Sequence, residues 1–198
     1  MILIEEEINC LNQKLMDKKS KALLVGLDKQ LTLLLRELKN YSDAKLNEQP
    51  DEKSWSVLQI MQHLMKSESS AIGYVQKKLS FNPALKKANL ISSVRSSFLN
   101  IAFVMPLKLK APAYMSGDAL ISDLTFWEIA KEWKQQRKEL ETYLQGLSAD
   151  YFEKDLYKHP IGGRMPLSGM LSFFSSHMDR HIRQINRTLK KIDAVKQL

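Results

Sequence analysis

The sequence predicts an all-α fold: a four-helix bundle with a long crossover between its second and third helices, plus a short extra helix at the N-terminus. Three observations lead there. Apolar residues recur at spacings of three and four along several long stretches, the mark of amphipathic helices. Only seven glycines and six prolines occur in 198 residues, clustered in a few places rather than punctuating the chain every ten residues as in strand-and-turn folds. The stretch 84–123 has the length of a crossover between bundle helices that run the same way, which a short turn cannot join.

Taken in order, residues 1–20 read as an N-terminal extension with a short helix of its own, and 21–198 as the bundle domain. Leu24, Leu27, Leu31, Leu34, Leu38 and Tyr41 form the stripe of the first bundle helix. Pro50 and Asp51 close the loop that follows. Ser54 or Ser56 can cap the second helix, whose buried side holds Val57, Ile60, Met61, Leu64, Ala71, Val75 and Leu79. Asn82 and Pro83 mark its end. Within the crossover, Leu85, Leu90, Ile91, Val94, Phe98 and Ile101 allow a further helix, which Pro106 and Pro112 then break.

Thr125 and Glu128 form a T-x-x-E capping box at the start of the third helix. Phe126, Ile129, Trp133, Leu140, Leu144 and Leu147 supply its apolar face. A polar loop follows, with His159, Pro160, Gly162, Gly163 and Pro166. The last helix starts near Leu167 or Ser168 and carries Met170, Leu171, Phe174, Met178, Ile182, Ile185, Leu189 and Ile192 on one side.

Bulk properties narrow the function classes. Hydrophobic residues at 44% and charged residues at 26% are ordinary globular composition. The first residues carry Glu5, Glu6 and Glu7 where a secretory signal carries lysines before an apolar run. No apolar stretch approaches the roughly 18 residues of a membrane span. With Cys10 the only cysteine, intramolecular disulfides and cysteine-based zinc sites are excluded. The simplest reading is a soluble cytoplasmic protein without a membrane partner. The net charge of +8 raises the question of an anionic partner. Its lysines are scattered in pairs such as Lys77–Lys78 and Lys190–Lys191, without a dense basic block or an aromatic-rich strand, which argues against nucleic acid and leaves a field that draws in a small anion.

Four histidines occur, and two of them, His177 and His181, stand four apart on the last helix. That spacing stacks them about 6 Å apart along the axis on nearly the same side, within the apolar stripe. Buried imidazoles must satisfy their ring nitrogens, and a pair so placed can do so on one ion or on neighbouring carbonyls. The intervening Met178, Asp179 and Arg180 lack the glutamate of the H-E-x-x-H metalloprotease motif. His63, beside Ile60 and Leu64, lies at the border of the second helix's stripe. Facing the other two, it would complete a three-nitrogen set with an open position, as in catalytic zinc sites.

The segment Trp55-Ser56-Val57-Leu58-Gln59-Ile60-Met61-Gln62-His63-Leu64, and the segment from His159-Pro160 through Gly163 and Leu167-Ser168 to His177, Arg180, His181 and Ile185, together resemble the DinB/YfiT-like superfamily of bacterial metalloenzymes. The likeness spans about residues 24–190. It implies a four-helix bundle with a long crossover, often dimeric, that holds nickel, zinc or a similar divalent ion on His63, His177 and His181. It also implies a small-molecule substrate and an activity drawn from metal-dependent hydrolases and low-molecular-weight thiol S-transferases. Trp55, Tyr74, His159 and Arg180 are the candidates for the pocket and for groups behind the ligands. A general base does not stand out: Asp179 should project away from the stripe and Glu68 has no evident aim. The alternative reading is a non-catalytic binding or stress-response bundle whose metal site is structural or vestigial. Three histidines suit zinc, nickel, copper and iron alike, so ligand type alone does not choose among them.

Overall fold

In the computed structural model, residues 16–88, 124–160 and 162–195 are described. The apolar spacing seen in the sequence becomes four long helices. Helix α1 runs Lys18–Leu38, and Asp17 caps it by accepting from the Ser20 amide. A five-residue helix α2, Asp43–Asn47, follows behind its own cap, Ser42, where the sequence predicts only a loop. Helix α3, Val57–Ser80, starts at a complete capping box in which Ser56 and Gln59 satisfy each other's amides. Of the two serines that could cap it, Ser56 does so, while Ser54 bonds Asp51.

Helix α4, Phe126–Gln145, opens on the Thr125–Glu128 capping box that the sequence predicts. Helix α5, Leu167–Val195, has 29 residues, roughly 43 Å of helix. The loop expected between α4 and α5 contains structure: a 3₁₀ turn at Ala149–Glu153 and a small antiparallel hairpin, β1 Tyr157–His159 with β2 Gly163–Met165. Gly163 sits at φ 69° opposite His159, a backbone conformation that L side chains seldom adopt. Strand alternation then turns Tyr157 and His159 inward and Lys158 outward.

The boundary expected after residue 20 falls in the first turn of α1, and the proposed extra N-terminal helix falls on residues outside the described ones. The same holds for the crossover between 89 and 123. The described residues 86–88 that lead into it pair with the segment before the hairpin, where the Ala88 amide donates to the Glu153 carbonyl at 2.8 Å and the Asp155 amide donates to the Lys86 carbonyl at 3.0 Å.

Helices α1 and α5 pack side by side, α5 against α3, α3 against α4, and α4 back against α1. Two apolar clusters fill the interior. One gathers Leu27, Val75, Leu140, Leu144, Leu171 and Phe174; the other gathers Leu31, Leu38, Ile60, Leu64, Ile129, Trp133, Met178 and Ile185. α1 and α5 therefore run from the first cluster to the second, while α3 and α4 run the opposite way. A crossover between α3 and α4 must thus return the chain along the bundle's length, as the sequence predicts.

Polar side chains mark the seam between the clusters. Glu68 on α3 is 1% exposed. It accepts from Arg137 Nε and Nη2, both at 2.6 Å, and from Trp133 Nε1 at 3.0 Å. At the same level Gln30 on α1 bonds Ser175 and Asp179 on α5. Arg137 Nη1 is buried with no hydrogen-bond partner among the described residues.

Candidate metal centre

His63 comes from the middle of α3, His177 and His181 from successive turns of α5. All three are buried, at 5%, 5% and 7% exposure. Their side chains meet: His177 Nε2 lies 3.0 Å from His181 Nε2 and 3.3 Å from His63 Nε2, and the three ligand atoms lie within 4.8 Å of one another. Ligand nitrogens held at 2.0–2.1 Å around a tetrahedral ion stand roughly 3.3–3.4 Å apart. The spacing fits one divalent ion, of whose coordination shell the three nitrogens would fill a part.

Each imidazole is held from behind. His181 Nδ1 lies 2.8 Å from Gln184 Oε1; donation from Nδ1 to that oxygen leaves the Nε2 lone pair directed at the trio. The His177 ring stacks on Phe173 at 5.1 Å between centroids and 16° between planes. The His63 ring tilts against Trp55 at 5.0 Å. Neither Gln184 nor Phe173 stood out in the sequence. Their signal was spacing alone, three residues after His181 and four before His177 on one helical face.

The electrostatics keep the two α5 rings, His177 and His181, neutral, the form that binds metal. Burial pushes His177 well below the ordinary histidine value of 6.5, assisted by His181 and His63. Burial and the neighbouring His63 bring His181 down to about 3. His159, the fourth histidine, stands apart from the trio on β1. Burial lowers it to about 4, and its Nδ1 accepts from the Gly162 amide at 3.0 Å, so the neutral ring carries its proton on Nε2. It packs against Phe173 at 4.5 Å, one ring removed from His177.

The remaining predicted site residues divide. Trp55 touches His63. Arg180 sits on α5 between the two histidines, half-buried, and its charge helps keep both neutral. Tyr74 lies further off, its ring edge-on to Tyr157 at 5.9 Å, and Tyr157 in turn meets His159. Asp179 is exposed and accepts from Gln30 at 2.6 Å, pointing away from the trio as helical spacing requires. Glu68 belongs to the Arg137 pair. Among the described residues His63, His177 and His181 form the one histidine–carboxylate cluster arranged to hold a metal, and no helix is long and apolar enough to cross a membrane.

Known proteins share this architecture. The structure of YfiT from Bacillus subtilis, described as a probable metal-dependent hydrolase with an unusual four-helix bundle topology, is similar over 90% of each chain with a TM-score of 0.57. At 14% identity that likeness shows the fold. The uncharacterized protein YuaE of Bacillus subtilis (strain 168) is 25% identical over 157 residues, 79% of this chain and 91% of that one. The model of the DinB superfamily matches residues 27–185, a span that runs from Leu27 in α1 to Ile185 in α5 and takes in all three clustered histidines. The chain belongs to the DinB superfamily.

Proposed function

We propose that this protein is a metal-dependent enzyme, a hydrolase or low-molecular-weight thiol S-transferase, in which His63, His177 and His181 hold one nickel or zinc ion. The observation that carries this reading is the convergence of three buried imidazole nitrogens from two helices on a common point.

A divalent ion held by His63, His177 and His181 would supply Lewis acidity towards a small nucleophile such as water or a thiol near neutral pH. The chain's own residues do the rest. Gln184 orients His181, Phe173 and Trp55 fix the planes of His177 and His63, and the apolar walls exclude bulk water. His159 presents an Nε2–H donor on the hairpin side and, with its Nδ1 lone pair engaged by the Gly162 amide, serves as a donor rather than a base. A small-molecule substrate suits a site of this kind. The likeness to YfiT supports the hydrolase branch and says nothing of a thiol.

Elemental analysis of protein purified without a histidine tag tests the centre. About one equivalent of nickel or zinc is expected, falling sharply in His177→Ala. Equal metal content in both proteins removes the proposal. Metal-loaded protein is then assayed against thiol conjugates, esters and amides to choose between the two branches.

A further inference from the structure

The small hairpin has two unlike faces. Tyr157 and His159 on β1 and Met165 on β2 are buried, while Lys158 and Arg164 are exposed. The register sets these two cations directly opposite each other at the centre of the ladder. Side chains so paired start about 4.5–5.5 Å apart at Cβ, and like charges there are destabilising. A second opposition of the same kind lies just upstream, where Lys87 faces Lys154 across an antiparallel bridge.

The protein treats the two oppositions differently. Lys87 reaches Glu153 at 3.3 Å, and the Lys154 ammonium stands over the Tyr151 ring, 5.4 Å from its centroid. Lys158 and Arg164 receive neither kind of relief. Among the described residues no carboxylate pairs with either of them and no aromatic ring lies under their charges. Glu153 is given to Lys87, and Asp155, the nearest carboxylate along the chain, keeps its Oδ1 buried without a hydrogen-bond partner. Exposed cations are commonly just solvated, but a ribbon of two three-residue strands is marginal on its own, and repulsion at its central pair works against it.

We propose that Lys158 and Arg164 together clamp a phosphate dianion, free or as a phosphomonoester, on the outer face of the hairpin. Two cations match its two charges. The guanidinium offers a planar fork to two of its oxygens, and the ammonium adds a point charge beside them. The bound group turns one repulsion into two attractions, whereas a monocarboxylate leaves one cation uncompensated. Strand alternation puts the clamp on the face opposite His159, so it stands apart from the histidine trio and does not depend on the metal-centre reading. An anion held there braces the ribbon whose inner face sets His159 against Phe173.

Amide chemical shifts of isotopically labelled full-length protein test the clamp. The protein is titrated with inorganic phosphate, glycerol 3-phosphate or acetate at constant low ionic strength and about pH 8, where the phosphates are mainly dianions. Shifts centred on Lys158 and Arg164 should saturate in the millimolar range for the phosphates, and acetate should bind roughly fivefold more weakly. Lys158→Gln and Arg164→Gln should each weaken phosphate about fivefold with unchanged circular dichroism. Lys158→Glu, which sets opposite charges across the ladder, should abolish the response and slow amide exchange in the hairpin without phosphate, as phosphate does in the native protein. Tighter binding of glycerol 3-phosphate than of phosphate assigns the clamp to a phosphomonoester, and equal binding to the free ion. Shifts that never saturate, that acetate reproduces at equal concentration, or that persist unchanged in the glutamine variants overturn the proposal. Saturation centred on residues away from the hairpin overturns it as well.

Discussion

Arg137→Met tests whether the Glu68–Arg137 pair is a strong internal tie or a replaceable one. The substitution keeps an unbranched apolar stem in place of the arginine's and removes both 2.6 Å hydrogen bonds from Glu68. Glu68, 1% exposed, then keeps only the Trp133 N–H at 3.0 Å. Breaking one side of a buried pair costs roughly 3–5 kcal/mol, because the partner's charge is left without compensation. For a chain of this size each kcal/mol lowers Tm by roughly 2–4 °C, so the expected fall is roughly 6–20 °C. Calorimetry and urea unfolding of metal-free protein measure it. The double variant Glu68→Leu/Arg137→Met removes both charges and should recover most of the loss, since apolar replacement of a whole buried pair is often neutral or stabilising. A single-variant loss below about 1 kcal/mol, or a double variant no better than the single, refutes the reasoning.

Three further outcomes follow from the same geometry. Gln184→Leu removes the partner of His181 Nδ1 and should weaken zinc binding roughly 10- to 100-fold with little change in circular dichroism; a chelator competition showing less than a twofold change rules out an orienting role. Metal-free protein should lose stability in acid, because His159 and His181 titrate near 4 and 3 when folded and near 6.5 when unfolded. Their contribution is complete above about pH 6.5 and declines as pH falls towards those folded values; a urea midpoint no lower at pH 5 than at pH 7.5 contradicts this. Ser56→Ala should cost about 1 kcal/mol by opening the α3 capping box, a loss that Ser54→Ala, outside the cap, should not reproduce.

What the sequence revealed, and what it hid, follows from the range of each interaction. Helix periodicity and the Thr125–Glu128 box are local patterns, so they were legible residue by residue. The His177–His181 pair was legible for the same reason. His63 entered through its place near the apolar stripe and through the family resemblance, since nothing local says that α3 packs against α5. The hairpin was hidden because three-residue strands are too short to show alternation. It matters all the same, for it is what turns His159 inward against Phe173. Glu68 was the hardest to read: its partners lie 65 and 69 residues away on a helix whose parallel course beside α3 is a property of the whole topology.

That topology also explains why a polar site lies in the interior. Along α5 the change from the first apolar cluster to the second comes between Phe174 and Met178, and His177 stands in that interval. Glu68 on α3 and Arg137 on α4 occupy the equivalent interval on their helices. Apolar side chains at both Glu68 and Arg137 would extend one continuous core, and stability alone gives no reason against that double replacement. The polar pair instead ties α3 to α4 in one register, because a shift by a turn would separate Glu68 from Arg137 and leave both charges buried. α3 carries His63 and packs against α5, which carries the other two histidines. Holding α3 in register therefore holds His63 at the level of His177 and His181, and the convergence of the three nitrogens depends on that alignment. Loosening the pair should then weaken metal binding as well as folding. Zinc affinity of Arg137→Met, measured at a temperature where the variant remains fully folded, separates this coupling from a purely local role, which would leave the affinity unchanged.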